Sequence, residues 1–205
     1  MDRRQFLASA AIPVGIATAG CSLAPGQTVD LHAETERQDG GRQNETYLVY
    51  RHDGEEVRVV GFDQHSFPAS LDDRFGFGLV IEYDEATTVD AVRVDLRAPP
   101  TGEPADIYLA APRERWPNLT YGRVDGDGAT RIALPEAGAV IDETVFLNTI
   151  VDPNAAPVER IAIDLEMELG ARNSPVTYRA ATTTAFEVAA REDSRPTANT
   201  TENSS

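Results

Sequence analysis

Residues 161–169 read Ile-Ala-Ile-Asp-Leu-Glu-Met-Glu-Leu, with an apolar side chain at every odd position and Ala, Asp, Glu and Glu between them. A helix repeats near 3.6 residues, so a period-two run of this length buries one face only as an extended strand. The same signature recurs along the chain. Val92, Val94 and Leu96 alternate with Arg93, Asp95 and Arg97, and Val29, Leu31 and Ala33 share one parity. Glu45 to Arg51 and Glu56 to Phe62 are β-rich runs flanking His52-Asp53-Gly54-Glu55, an Asp-Gly turn signal for a hairpin. Phe75 to Tyr83 is apolar and punctuated by glycine, which suits a bulged or closely packed strand.

Further strands are expected over Ile107 to Ala110, Leu119 to Val124, Arg131 to Leu134, Thr144 to Val151 and Val176 to Val188. Gln38 to Arg42 reads as a loop, and Pro99-Pro100 breaks the strand before it. No long amphipathic helix pattern is present. The pattern predicts one all-β domain over residues 28–189, a single β-sandwich (immunoglobulin-like or related) of about ten short strands. A β-barrel or jelly-roll-like arrangement is the alternative. Residues 190–205 are rich in Ser, Thr, Asn and Glu and lack apolar periodicity, a composition expected to stay disordered.

At the amino terminus Arg3 and Arg4 precede a mild apolar stretch that ends at Ala19-Gly20-Cys21. Pro13, Gly15 and several Ala, Ser and Thr residues make it too short and too weakly apolar for a spanning helix, which needs about 20 strongly apolar residues. The segment resembles twin-arginine (Tat) signal peptides with a lipobox. Thr18 stands where such sequences usually carry an apolar residue. The resemblance implies a cleaved signal over residues 1–20, lipidation of Cys21, and a short tether over 21–27. An uncleaved anchor or a non-lipidated signal is the competing reading. The expected location is extracytoplasmic, on the outer face of the cell membrane.

Cys21 is the one cysteine of the chain, so no intramolecular disulfide can form and the fold must rest on its core. A blue-copper site needs a cysteine beside two histidines, and a cysteine consumed by an anchor cannot supply it. His32, His52 and His65 fall on different segments without paired ligand spacing, so no cofactor is expected. Asp125 and Asp127, in Asp125-Gly126-Asp127-Gly128, open like a calcium loop but lack its later ligands; the flanking residues look like hairpin arms. A Gly-x-Ser-x-Gly elbow is missing, and no other catalytic motif is present, so an enzyme, such as a hydrolase, is the lesser expectation.

Thirty-four acidic residues face eighteen basic ones, all Arg, for a formal net charge of −16. Removing the signal changes this to −17, because Asp2, Arg3 and Arg4 leave with it. A Lys-free, strongly acidic chain behind a Tat signal resembles the exported proteins of halophilic archaea, whose charge is tolerated because molar salt cuts the screening length to about 3 Å. Nucleic acid is excluded as a partner, since its binding depends on basic residues and weakens as salt rises. Asn44, Asn118, Asn199 and Asn203 head glycosylation sequons, and Trp116, in an Arg- and Pro-flanked connection, is a candidate partner-binding side chain. The sequence thus points to a lipid-anchored, non-enzymatic β-sandwich module with a binding or structural role at the cell surface. Its expected partners are membrane lipid through Cys21 and an envelope protein or glycan. An accessory ligand-binding subunit of a transporter or envelope enzyme is the alternative.

Overall fold

The computed structural model describes residues 26–40, 43–110, 119–134, 144–154 and 156–191. Among them are eleven strands and no helix. They are β1 (Thr28–Gly40), β2 (Gln43–His52), β3 (Glu55–Asp63), β4 (Phe75–Ile81), β5 (Thr87–Arg97), β6 (Asp106–Leu109), β7 (Thr120–Arg123), β8 (Thr130–Leu134), β9 (Val145–Asp152), β10 (Arg160–Ala171) and β11 (Thr177–Glu187). The all-β sandwich expected from the alternation is therefore the fold.

The strands follow one hydrogen-bonded order, β6-β9-β4-β3-β2-β1-β11-β10-β5-β8-β7, folded over into two facing sheets. β1 is the hinge of that fold. Its first residues, Thr28 to Leu31, pair parallel with β11, and from His32 to Gly40 it pairs antiparallel with β2. The two edge strands are tied by side chains. The Tyr121 hydroxyl of β7 donates to the Ile107 carbonyl of β6, and Arg123 meets Asp106. The sandwich is thereby nearly closed, which leaves little open edge for another chain to pair with.

The two inner faces supply the core. On β10, Ile161, Ile163, Leu165, Met167 and Leu169 are all buried, as their parity requires. They share one core with Phe186, the cross-strand partner of Ile161, and with Phe62 and Phe77 of the other sheet; Phe77 packs its ring against Phe186 at 5.1 Å and stacks on Phe62 at 6.2 Å. Tyr50 crosses this core and donates from its hydroxyl to Thr182 Oγ1 at 2.9 Å. That bond answers the need of a buried hydroxyl for a partner and joins the two sheets.

The Asp-Gly turn is present where the sequence places it. Asp53 and Gly54 both have positive φ, 52° and 84°, as the two-residue hairpin between β2 and β3 requires. The loop expected over Gln38 to Arg42 is shorter than the sequence suggested. Pairing of β1 with β2 continues to Gly40 opposite Gln43, so the ladder absorbs most of those polar residues. Polarity alone does not end a strand.

Candidate functional site

β9 reads Val-Phe-Leu-Asn-Thr-Ile-Val-Asp. Val145, Leu147, Thr149 and Val151 point inward and are buried. Phe146, Asn148 and Ile150 therefore point outward, and Phe146 is 59% exposed and Ile150 42% exposed. Register carries this apolar character across the sheet. Phe146 stands opposite Val80 of β4, and Val80 opposite Gly61 of β3, which in turn faces Tyr47 of β2. On the other side Ile150 stands opposite Tyr108 of β6, 48% exposed. Tyr47, Val80, Phe146 and Tyr108 thus bring large apolar or aromatic side chains from β2, β4, β9 and β6 to one outer face.

Between these residues the face is lowered by glycine. Gly61, Gly76 and Gly78 share its outward parity. The Tyr47 ring lies over Gly61, with Cε1 3.1 Å from where a Cβ would stand. A Cβ at Gly76 would fall within the His65 imidazole, and one at Gly78 within the Asp63 carboxylate. The missing side chains make a trough that Tyr47, Asp63 and His65 enter from one side.

The polar groups of the trough are partly engaged already. Tyr47 donates from its hydroxyl to Glu45 Oε2 at 2.6 Å, and this bond, with burial and the nearby carboxylates, pushes the phenol up to about 12. Asp63 has His65 Nδ1 at 4.0 Å. Burial holds the Asp63 carboxyl above the usual carboxylate range, with His65 opposing and Glu45 reinforcing that shift. At the border Arg74 meets Asp152 and Arg123 meets Asp106. These pairs balance, so Glu45 and Asp63 leave the border net acidic.

The other outer face is built differently. There Arg93 meets Glu166, Arg131 meets Asp95, Arg160 meets Glu187 and Arg179 meets Glu168. A groove of about 640 Å³ runs across it over Ala91, Ala133 and Ala181, walled by Arg93, Glu166, Glu168 and Arg179.

Of the residues singled out in the sequence, Asp127 accepts from Arg97 Nη1 at 2.7 Å, and Asp125 is exposed in the same β7–β8 turn. Gly126 and Gly128 have positive φ there, so the glycines serve the turn. Among the described residues no group of three or more His, Cys, Asp or Glu side chains is placed to hold a metal ion. The Asn44 side-chain amide donates to Gln64 Oε1 at 3.1 Å and to the Glu187 carbonyl at 2.6 Å, so its sequon nitrogen is engaged in the folded domain. Arg3, Arg4, Cys21, Trp116, Asn118, Asn199 and Asn203 lie outside the described residues. Tyr108, Phe146 and Ile150 were not picked out by the sequence reading, although the apolar residues of both parities in β9 were its visible trace.

A family model described as "Domain of unknown function (DUF8121)" matches residues 27–190. The chain belongs to that family. Comparison with the curated proteins found no match. Among solved structures, this DUF8121 domain is similar to a type I cohesin from Pseudobacteroides cellulosolvens at 10% identity, covering 65% of this chain and 94% of the cohesin, with a TM-score of 0.42. It is similar to the cohesin module of a Clostridium perfringens family 33 glycoside hydrolase at 15% identity, covering 66% and 98%, with a TM-score of 0.41. A non-cellulosomal cohesin from the archaeon Archaeoglobus fulgidus is a further similar structure, at 11% identity, 58% and 86% coverage and a TM-score of 0.33. What these share with the DUF8121 domain is the β-sandwich fold.

Proposed function

We propose that the chain is a lipid-anchored, non-enzymatic binding module whose apolar outer face docks a protein of the cell envelope. The observation that carries this reading is the exposure of Phe146, Ile150 and Tyr108 on one outer face, Ile150 beside Tyr108 and Phe146 further along β9, on a chain of net charge −16. Exposed apolar side chains scattered singly need no explanation, but a contiguous patch rimmed by polar residues marks an interaction surface. Transferring Phe146 or Ile150 fully into a partner's pocket contributes about 1–2 kcal/mol each, given how much of each is still wet.

A protein fits this face better than a glycan. Tyr108 and Phe146 carry exposed rings, but a sugar also needs free polar groups, and the Tyr47 hydroxyl and Glu45 satisfy one another. The border set by Glu45 and Asp63 favours a partner with an apolar centre edged by Arg or Lys. Anchoring through Cys21 keeps the module at the membrane, where such a partner is met at high local concentration.

The test is chemical crosslinking in intact cells at native salt, comparing the native chain with a Phe146→Ser, Ile150→Ser double variant. One discrete crosslinked protein should be recovered with the native chain and lost with the variant. Recovery of the same species from both would contradict the assigned face. A small molecule co-purifying with both would favour the ligand-binding subunit instead.

A further inference from the structure

The two poles of the sandwich are not equivalent. At one pole Thr28, Thr177, Gly170 and Thr88 stand in a single row across β1, β11, β10 and β5. The chain enters there, and Gly26 is pinned by its backbone N–H to the Pro175 carbonyl at 2.9 Å. β1, β5 and β11 all run away from that row. The chain leaves at the opposite pole, where buried Gln64 accepts from Ala189 N at 2.9 Å and donates to Ala189 O at 2.7 Å. Arg191 N then donates to the Pro68 carbonyl at 2.8 Å.

Two lengths decide what this means for an anchored domain. β11 has 11 residues and so separates the poles by about 33 Å. From Cys21 to the pinned Gly26 there are five residue steps, which span at most about 18 Å even when fully extended. The link is shorter than the body it holds and joins it at one end.

From this geometry we infer that the domain stands upright on the membrane, entry pole down, with its strands along the membrane normal. This rests on the anchoring through Cys21 proposed above. The apolar face then looks along the plane of the membrane. Phe146 sits nearer the entry pole, and Ile150 with Tyr108 stands four residues, about 13 Å, further out. The occupant this orientation selects is a protein standing beside the domain on the same membrane, not one arriving from above.

The experiment uses the full lipidated chain in vesicles carrying an energy-transfer acceptor on the lipid headgroup. Glu85→Cys and Glu103→Cys place a donor dye just before and just after β5, at opposite poles; both sites are exposed, and the lipid blocks Cys21. Transfer should be several-fold more efficient from position 85 than from position 103. Equal transfer, as from a domain lying flat, or the reverse order would overturn the orientation while leaving the anchoring intact. Failure of the native chain to co-sediment with the vesicles would overturn the anchoring and the orientation together.

Discussion

On the outer face of the sheet centred on β5 and β10, Arg131 grips Asp95 through Nε and Nη2 at 2.7 and 2.6 Å, and Arg179 reaches Glu168 at 3.1 Å. On the outer face of the sheet centred on β3 and β4, the same kind of outward position holds Val80, Phe146 and Ile150 over a glycine trough. The first face is complete in itself. Arg93, Arg131, Arg160 and Arg179 each meet an acidic partner on the neighbouring strand. The second face leaves Phe146, Ile150 and Tyr108 exposed. Both faces rest on the same buried core, so the difference between them is not needed for folding and points to use.

The largest effect expected from breaking this comparison is on binding. Replacing Phe146 by Asp should lower the yield of the in-cell crosslinked partner by about 30-fold or more, the range of a central interface residue. Circular dichroism and melting should be unchanged, because the side chain is already exposed. The corresponding change on the charged face, Glu166→Ala, should leave crosslinking as it was.

Next in size are changes that fill the two concavities. Gly78→Val must displace the Asp63 carboxylate and should cost about 1–3 kcal/mol. Ala133→Leu, on the floor of the charged groove, should stay within about 0.5 kcal/mol. Denaturant midpoints measured at constant high salt would rank the two; equal costs would mean that the trough is no better packed than the groove.

Asp63 sharpens the comparison through pH. Its folded carboxyl titrates above the usual range, so the charged form weakens the fold at neutral pH and that penalty disappears as pH falls. Asp63→Asn should therefore melt higher than the native chain at pH 7. The gap should close below the ordinary carboxylate pKa of about 3.9. A constant gap across that window would mean that desolvation of this carboxylate is not the cause.

The smallest effect belongs to the charged face. Arg93→Ala should cost at most about 1 kcal/mol and less in molar salt, since the Arg93–Glu166 pair is exposed on both sides. Melts at about 0.1 M and at molar salt would show whether that cost is screened.

Much of the fold was legible in the sequence, and the reasons are local. Alternation in β10 and β5 names their buried residues directly, and Asp53-Gly54 marks the β2–β3 hairpin because few other pairs accept positive φ twice. The switch of β1 from β11 to β2 has no local marker, because Leu31 and Ala33 keep their parity through it. The candidate face was hidden for a related reason. In Val145 to Val151 both parities are apolar, so the strand is evident but its outward residues are not until Val80, Tyr108 and the glycines are brought beside it. The prominence of Trp116 in the sequence came from its Arg and Pro flanks, which are features of a connection and carry no register. Asn44 shows the converse: a sequon is visible as three letters, while the two hydrogen bonds that engage its amide come from residues 20 and 143 positions away.

The most direct measurement places a photoactivatable side chain at position 146 and, separately, at position 166 of the full chain, followed by irradiation of intact cells at native salt. A discrete protein adduct from position 146 and none from position 166 is the predicted result. Adducts of equal yield from both positions, or none from 146 while 166 reacts, would contradict the assignment of the apolar face as the docking surface.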